Sequence, residues 1–369
     1  MNPLGGLLRR LIREHGPIDV GRYMALALAH PEHGYYTSRD PLGSAGDFVT
    51  APEISQLFGE LVGLALAQSW LESGRPRPVL LAELGPGRGT LTADALRAAR
   101  AAPGFREAIE LHLVEASPIL RARQAEALRP YTPRWHASLQ GVPETAPLLL
   151  VANEFFDVLP LRQFVRAAGR WHERLVTVDG EADDAALRFA LSPRPAPPGW
   201  LDGVGPAPDG AVIEVAPARE ALAQELGRRL AAQDGLALVV DYGEAGGDGS
   251  FADTFQAVRG HRSADPLASP GEADLTAHVD FAALARAARL GGAAAYGPVE
   301  QGTLLRRLGL DVRLERLLRS ATPAQSALLE AGAERLTAPG EMGRLFKALA
   351  LTPPGAPVPP GFEPAELFS

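Results

Sequence analysis

Residues 83–89 read ELGPGRG, with glycines at 85, 87 and 89 directly after the apolar run PVLLA. Glycine lacks the Cβ that keeps a ligand away from main chain, and a helix that follows such a turn offers free N–H groups at its N-terminus. A strand, this turn and a helix together predict a site for a nucleotide-type cofactor. Two cofactors compete for it. The dinucleotide fingerprint G-x-G-x-x-G would put its third glycine at 90, where Thr90 stands, and Pro86 removes an N–H that a pyrophosphate cradle would use. S-adenosyl-L-methionine has no phosphate, and its sulfonium and amino groups are positive. Glu83 at the strand end can hold that positive end through charge-assisted hydrogen bonds. Glu115, at the end of the next expected strand in HLVEAS, can accept from both ribose hydroxyls, although dinucleotide folds use an acid there too. The expected cofactor is S-adenosyl-L-methionine, held by Glu83, Gly85, Gly87, Gly89 and Glu115.

Open α/β sheets bind ligands beyond the carboxyl ends of their strands, where the strand order reverses. With the usual chain path the first and fourth strands flank that point. The fourth expected strand runs into ANEFFD, which places Asn153, Glu154 and Asp157 opposite the transferred methyl group as catalytic candidates. Were the acceptor a guanidinium, it would have to be gripped and to lose a proton, and Glu154 with Asp157 could do both. The alternative for this stretch is a helix-capping turn whose Phe155 and Phe156 fill core. Asp241 and Tyr242 end another strand, LALVVDYGE, and are expected to line the same cleft. An acid often meets adenine after the third strand. Here WHASLQG offers Ser138 and Gln140, so Ser138 is the cofactor-side candidate and the adenine contact stays open. His261, Asp265, His278 and Asp280 are too scattered for a metal site, and none is expected.

The elements that must position these groups divide the chain into four. Residues 1–75 read as mostly helical, with Leu7, Leu8, Leu11 and Ile12 on one face of a first helix. Thr50, Pro52 and Glu53 have the spacing of a capping box at the head of a longer helix. From 76 to 160 and again from 211 to 300, fully apolar strands alternate with helices, which predicts a parallel sheet covered on both faces. Residues 161–210 read as a β-rich insertion with a hairpin around Gly169, and 301–369 as a helical region and tail.

Of the 369 residues 46% are hydrophobic and 22% charged, which is a globular composition. The net charge of −8 disfavours nucleic acid as a partner, while an acidic surface would attract a basic protein substrate. There is no cysteine, so neither a disulfide nor a thiolate nucleophile exists. No segment has the apolar length of a membrane span. The zero cysteine count and the high Ala, Arg, Pro and Gly content lead to the expectation of a cytoplasmic bacterial protein, its oligomeric state open.

The stretches GDFVTAPEISQLFGE, AELGPGRGTL, HLVEASPILRARQ, ANEFFDVLPLRQF, IEVAPARE, LVVDYG, QAVRGH and PGEADLTAHVDF occur in this order. On them the chain resembles the MidA / mitochondrial complex I assembly factor family of S-adenosylmethionine-dependent methyltransferases. The resemblance runs from about residue 15 to about residue 310. It implies a class I, Rossmann-like methyltransferase fold with a seven-stranded sheet, and protein arginine methylation giving symmetric ω-N-dimethylarginine. It also implies an acceptor on a complex I (NADH dehydrogenase) subunit. The match in GDFVTAPEIS implies that Asp47, Phe48 and Thr50 line the substrate pocket; a capped helix without that role is the alternative. A small-molecule methyltransferase and a non-catalytic assembly factor are the competing functions, because a fold does not fix an acceptor.

Overall fold

Val79–Leu84 and Leu148–Asn153 contain no polar residue except at their carboxyl ends, and all six residues of each strand are buried. Strands buried on both faces belong in the middle of a covered parallel sheet, and that is where they lie in the computed structural model, which describes residues 2–40, 49–182, 184–246 and 251–368. Among the described residues seven strands form the path of the main sheet: first Val79–Leu84, second Ile109–Val114, third Arg134–His136, fourth Leu148–Asn153, fifth Gly235–Glu244, sixth Ala294–Glu300 and seventh Phe346–Thr352, with the two-residue Val279–Asp280 pairing beside the fifth off that path. Across the sheet they run sixth, seventh, fifth, fourth, first, second, third. The first five are parallel to one another, and the seventh is antiparallel to both its neighbours, the fifth and the sixth. The first and fourth strands are adjacent, so the strand order reverses between them, as the class I fold requires.

The chain separates into two units, one of residues 1–48, 157–219 and 246–278, the other of residues 49–156, 220–245 and 279–369. The second unit holds the seven-stranded sheet. Its helix Gln56–Glu72 meets Thr90–Ala98 almost backbone to backbone: a Cβ on Gly63 would lie 2.4 Å from the Cα of Ala95. That contact fixes the helix that starts at the glycine loop. The first unit is built on a five-stranded antiparallel sheet, with the helices Pro3–His15 and Val20–Ala29 contributing Leu4, Leu8, Ile12, Tyr23 and Met24 to its core. The expected hairpin is there: Arg162–Ala167 pairs with Arg170–Val178 across Ala168 and Gly169, both at positive φ (48° and 75°), the geometry that two-residue hairpins favour.

Three expectations give way. AVIEV does not resume the main sheet: Val212–Val215 pairs antiparallel with Arg162–Ala167 in the first unit, because short apolar strands look alike whichever sheet takes them. Residues 301–369 are not only helix and tail, since Phe346–Thr352 sits between the fifth and sixth strands with six of its seven residues buried. Thr50 and Glu53 form no capping box; the helix breaks at Ser55, whose hydroxyl accepts from the Leu57 N–H, and Thr50 makes no side-chain cap. Among the described residues no helix is long and apolar enough to cross a membrane.

Candidate active site

The glycine loop follows the first strand. Gly85, Gly87 and Gly89 all have positive φ, at 61°, 54° and 84°. An L-residue in that region costs about 1–2 kcal/mol, and a β-branched one more. The loop is anchored from both sides. Gly85 N–H donates to the Val114 carbonyl (3.0 Å), and Gly89 N–H to Pro86 O (2.7 Å). The spacing therefore does what it suggested: it bends the chain sharply and leaves main chain bare between strand and helix.

Glu83 ends this strand 4% exposed. It accepts from the Thr92 hydroxyl, one turn into the next helix. Burial pushes its carboxyl up to about 7, and the Thr92 hydrogen bonds only partly offset that. No cation neutralises it among the described residues. Glu115 ends the second strand. Its Oε1 accepts from the Ser117 N–H (2.7 Å) and its Oε2 from Gln124 Nε2 (3.1 Å), and burial again raises the carboxyl. Gln124 also donates to the Gly87 carbonyl (2.8 Å), which ties the loop to the acid. Ser138 follows the third strand, is exposed, and opens the short 3-10 turn Leu139–Gly141.

The fourth strand ends in Asn153 and continues its ladder for one residue, through Glu154 N–H to Val240 O (2.9 Å). Glu154 then turns the chain with a φ of 49°, a left-handed conformation rare for a residue with a side chain. Its Oε1 accepts from Asn153 Nδ2 (3.1 Å) and from the Ala51 N–H (3.0 Å), the first residue of the helix Ala51–Ile54 that Thr50 precedes. Asn153 Oδ1 is buried and has no hydrogen-bond partner among the described residues. Phe155 lies against the glycine loop, so that a Cβ on Gly85 would come within 2.6 Å of its ring, while Phe156 is fully buried.

Asp241 does something the residue pattern did not announce. It is fully buried, and instead of opening toward a cleft its Oδ2 accepts from the Phe155 and Phe156 N–H groups (3.2 and 3.0 Å), with Oδ1 on Tyr242 N–H (2.9 Å). It is the clamp of the turn that carries Glu154. Tyr242 packs edge-on against Phe346, with 5.5 Å between ring centroids. Asp157 falls in the first unit. Its carbonyl accepts from Arg219 and from Ala277 N–H there, and Tyr36, already pushed up by burial, is held protonated further by Asp274 and Asp157. Asp47 and Phe48 lie outside the described residues. Asp265 and Asp280 serve local turns and caps, accepting from Leu267 and Ala283 N–H.

The structure thus gathers Glu83, the three glycines, Glu115, Asn153, Glu154, Thr50 and Asp241 at the carboxyl ends of neighbouring strands in one unit. The sequence reading missed Thr92 and Gln124 and gave Glu53 to a cap, whereas its carboxylate accepts from the Thr90 hydroxyl beside the loop. A signal existed for Gln124 alone: it stands in line with Leu120 and Leu128 on the buried stripe of its helix.

These residues suit S-adenosylmethionine. The loop offers bare backbone, Glu83 is a buried acid whose charge wants a cation, Glu115 is an acid held in place by Ser117 and Gln124, and Asn153 Oδ1 has no partner among the described residues. The profile of the S-adenosyl-L-methionine-dependent methyltransferases matches residues 61–299. The mouse mitochondrial protein arginine methyltransferase NDUFAF7 is 41% identical over 95% of this chain and 85% of its own length. Its Drosophila melanogaster homologue is 40% identical over 94% and 84%. A superfamily member from Burkholderia thailandensis, crystallised with S-adenosyl-homocysteine, superposes with a TM-score of 0.86 at 30% identity, covering 99% of this chain and 95% of that one. The curated relatives are mitochondrial proteins, which overturns the cytoplasmic placement expected from composition.

Proposed function

We propose, from the premise that this chain belongs to the S-adenosyl-L-methionine-dependent methyltransferase family, that it transfers methyl groups to arginine in a protein acceptor. The observation that carries the acceptor class is the 41% identity to an arginine methyltransferase across 95% of the chain. The finer assignment is symmetric ω-N-dimethylarginine on a complex I (NADH dehydrogenase) subunit, which the family resemblance implies.

Bound S-adenosylmethionine supplies a methyl group on a sulfonium sulfur. Glu83 holds the ammonium end, since a buried carboxylate gains most from a cation it can reach. Glu115 accepts from the ribose hydroxyls, and Gly85, Gly87 and Gly89 let main chain come close. Ser138 stands on the adenine side. Glu154 would orient the acceptor guanidinium and take up a proton from its nitrogen, with Asn153 steadying the carboxylate. A guanidinium, which stays protonated in water, needs such a partner. Thr50 is assigned to the acceptor.

The test is direct. The protein is incubated with isotopically labelled S-adenosylmethionine and an extract from cells lacking the gene, and the labelled residue is located by mass spectrometry. Label on arginine is expected, on a complex I subunit. Label on lysine or on a metabolite rejects the arginine assignment, and label on arginine elsewhere rejects only the complex I acceptor.

A further inference from the structure

Gln124 is a polar residue where its helix should be apolar. Leu120 and Leu128, four residues to either side, are buried at 3% and 0% exposure, and Gln124 itself is at 0%. A buried amide is costly unless its hydrogen bonds are made. Here they are made in a way that fixes the amide's orientation. The Trp135 indole can only donate, and it donates to Oε1 (2.8 Å). Nε2 is thereby turned toward two groups that can only accept, the Gly87 carbonyl (2.8 Å) and Glu115 Oε2 (3.1 Å). One side chain joins the middle of the glycine loop, the acid of the second strand and the third strand.

We infer that Gln124 is a positioning residue for the cofactor: it sets the spacing between the loop that meets the methionyl part and the carboxylate that meets the ribose. The inference rests on the pocket taking S-adenosylmethionine. Two features of the geometry favour it over simple core filling. A leucine would continue the buried stripe without the desolvation cost of an amide. And both Nε2 bonds end on groups at the ligand side, not on groups of the helix's own fold.

Binding of S-adenosylhomocysteine and of its 2′-deoxyribose analogue to the full chain, measured by calorimetry, tests this without turnover. In the unaltered protein the missing hydroxyl should weaken binding about tenfold, the range for a hydrogen bond to a charged group. Gln124→Met keeps the volume and removes the bonds. It should bind S-adenosylhomocysteine about tenfold more weakly or worse, and the 2′-deoxy penalty should shrink to about threefold or less, because Glu115 is no longer held. Core filling alone would move the melting temperature and leave that penalty whole. Should Gln124→Met fail to fold by circular dichroism, Trp135→Phe decides: it frees the amide to rotate and should both weaken binding and shrink the penalty. Unchanged affinity together with an unchanged penalty, in whichever variant folds, overturns the inference. If the unaltered protein binds no S-adenosylhomocysteine, the cofactor assignment itself falls and takes this inference with it.

Discussion

Two bends leave the carboxyl ends of adjacent parallel strands in this protein, and they reach left-handed backbone by opposite means. After the first strand, three glycines adopt positive φ at little steric cost. After the fourth strand, Glu154 adopts a φ of 49° with a full side chain, and Asp241 holds the turn by accepting from Phe155 and Phe156 N–H. The first bend puts glycines at its left-handed positions, so no Cβ stands there, as the proposed cofactor contact needs. The second accepts strain because it has to present a carboxylate. Local sequence suffices for the first. The second needs a residue from a strand 86 positions further on.

The sharpest break of that contrast is Gly87→Val. A β-branched residue at a φ of 54° is strained and fills ligand space, so S-adenosylhomocysteine binding should fall more than about a hundredfold by calorimetry while the fold persists. Micromolar binding in that variant would remove the loop from the cofactor site. At the second bend Glu154→Gln keeps an acceptor for the Ala51 N–H but loses the charge. It should lower kcat by about 10²–10⁴ and leave cofactor Kd within about twofold; equal losses in both would make Glu154 a structural residue.

Asp241→Asn tests what holds the strained turn. Two backbone N–H groups, that of Phe156 buried, exchange a carboxylate acceptor for an amide oxygen, so stability should drop by about 2 kcal/mol in denaturant melts, with Asp241→Asn Glu154→Gly recovering part of it as the left-handed strain is relieved. A drop within about 0.5 kcal/mol would show that the ladder alone shapes the turn. The smallest effect concerns pH. Between the ordinary 4.5 and about 7, folded Glu83 keeps a proton that the unfolded chain has released, so this group's share of stability falls as pH rises through that window. A bound cation favours the ionised form. Cofactor affinity should therefore tighten by about tenfold from pH 6 to pH 8, and Glu83→Gln should bind weakly with no such slope. An unaltered slope in the variant would place the titrating group elsewhere.

Legibility followed the same divide. The glycine spacing, the two strand-end acids, the fully apolar strands and the reversal of strand order between the first and fourth were readable because each is local or follows from the right-handed crossover rule. The capping box at Thr50 was misread, since Glu53 bonds Thr90 across to another helix. Val212–Val215 and Phe346–Thr352 were misplaced, because a short apolar strand carries no mark of its sheet. Asp241 was taken for a residue facing the cleft, since a strand-end acid looks the same whether it turns to a ligand or to the backbone of its neighbour.

The amino-acid sequence by itself determined where the chain must turn bare and where carboxylates must end strands, for those are properties of residue type and order. Tertiary structure alone decided which donors each carboxylate meets: Thr92 for Glu83, Gln124 for Glu115, Ala51 N–H for Glu154 and the turn itself for Asp241. The reason is physical. A buried charge is set by the few groups within about 3 Å of it, and those groups come from whichever elements the packing brings together.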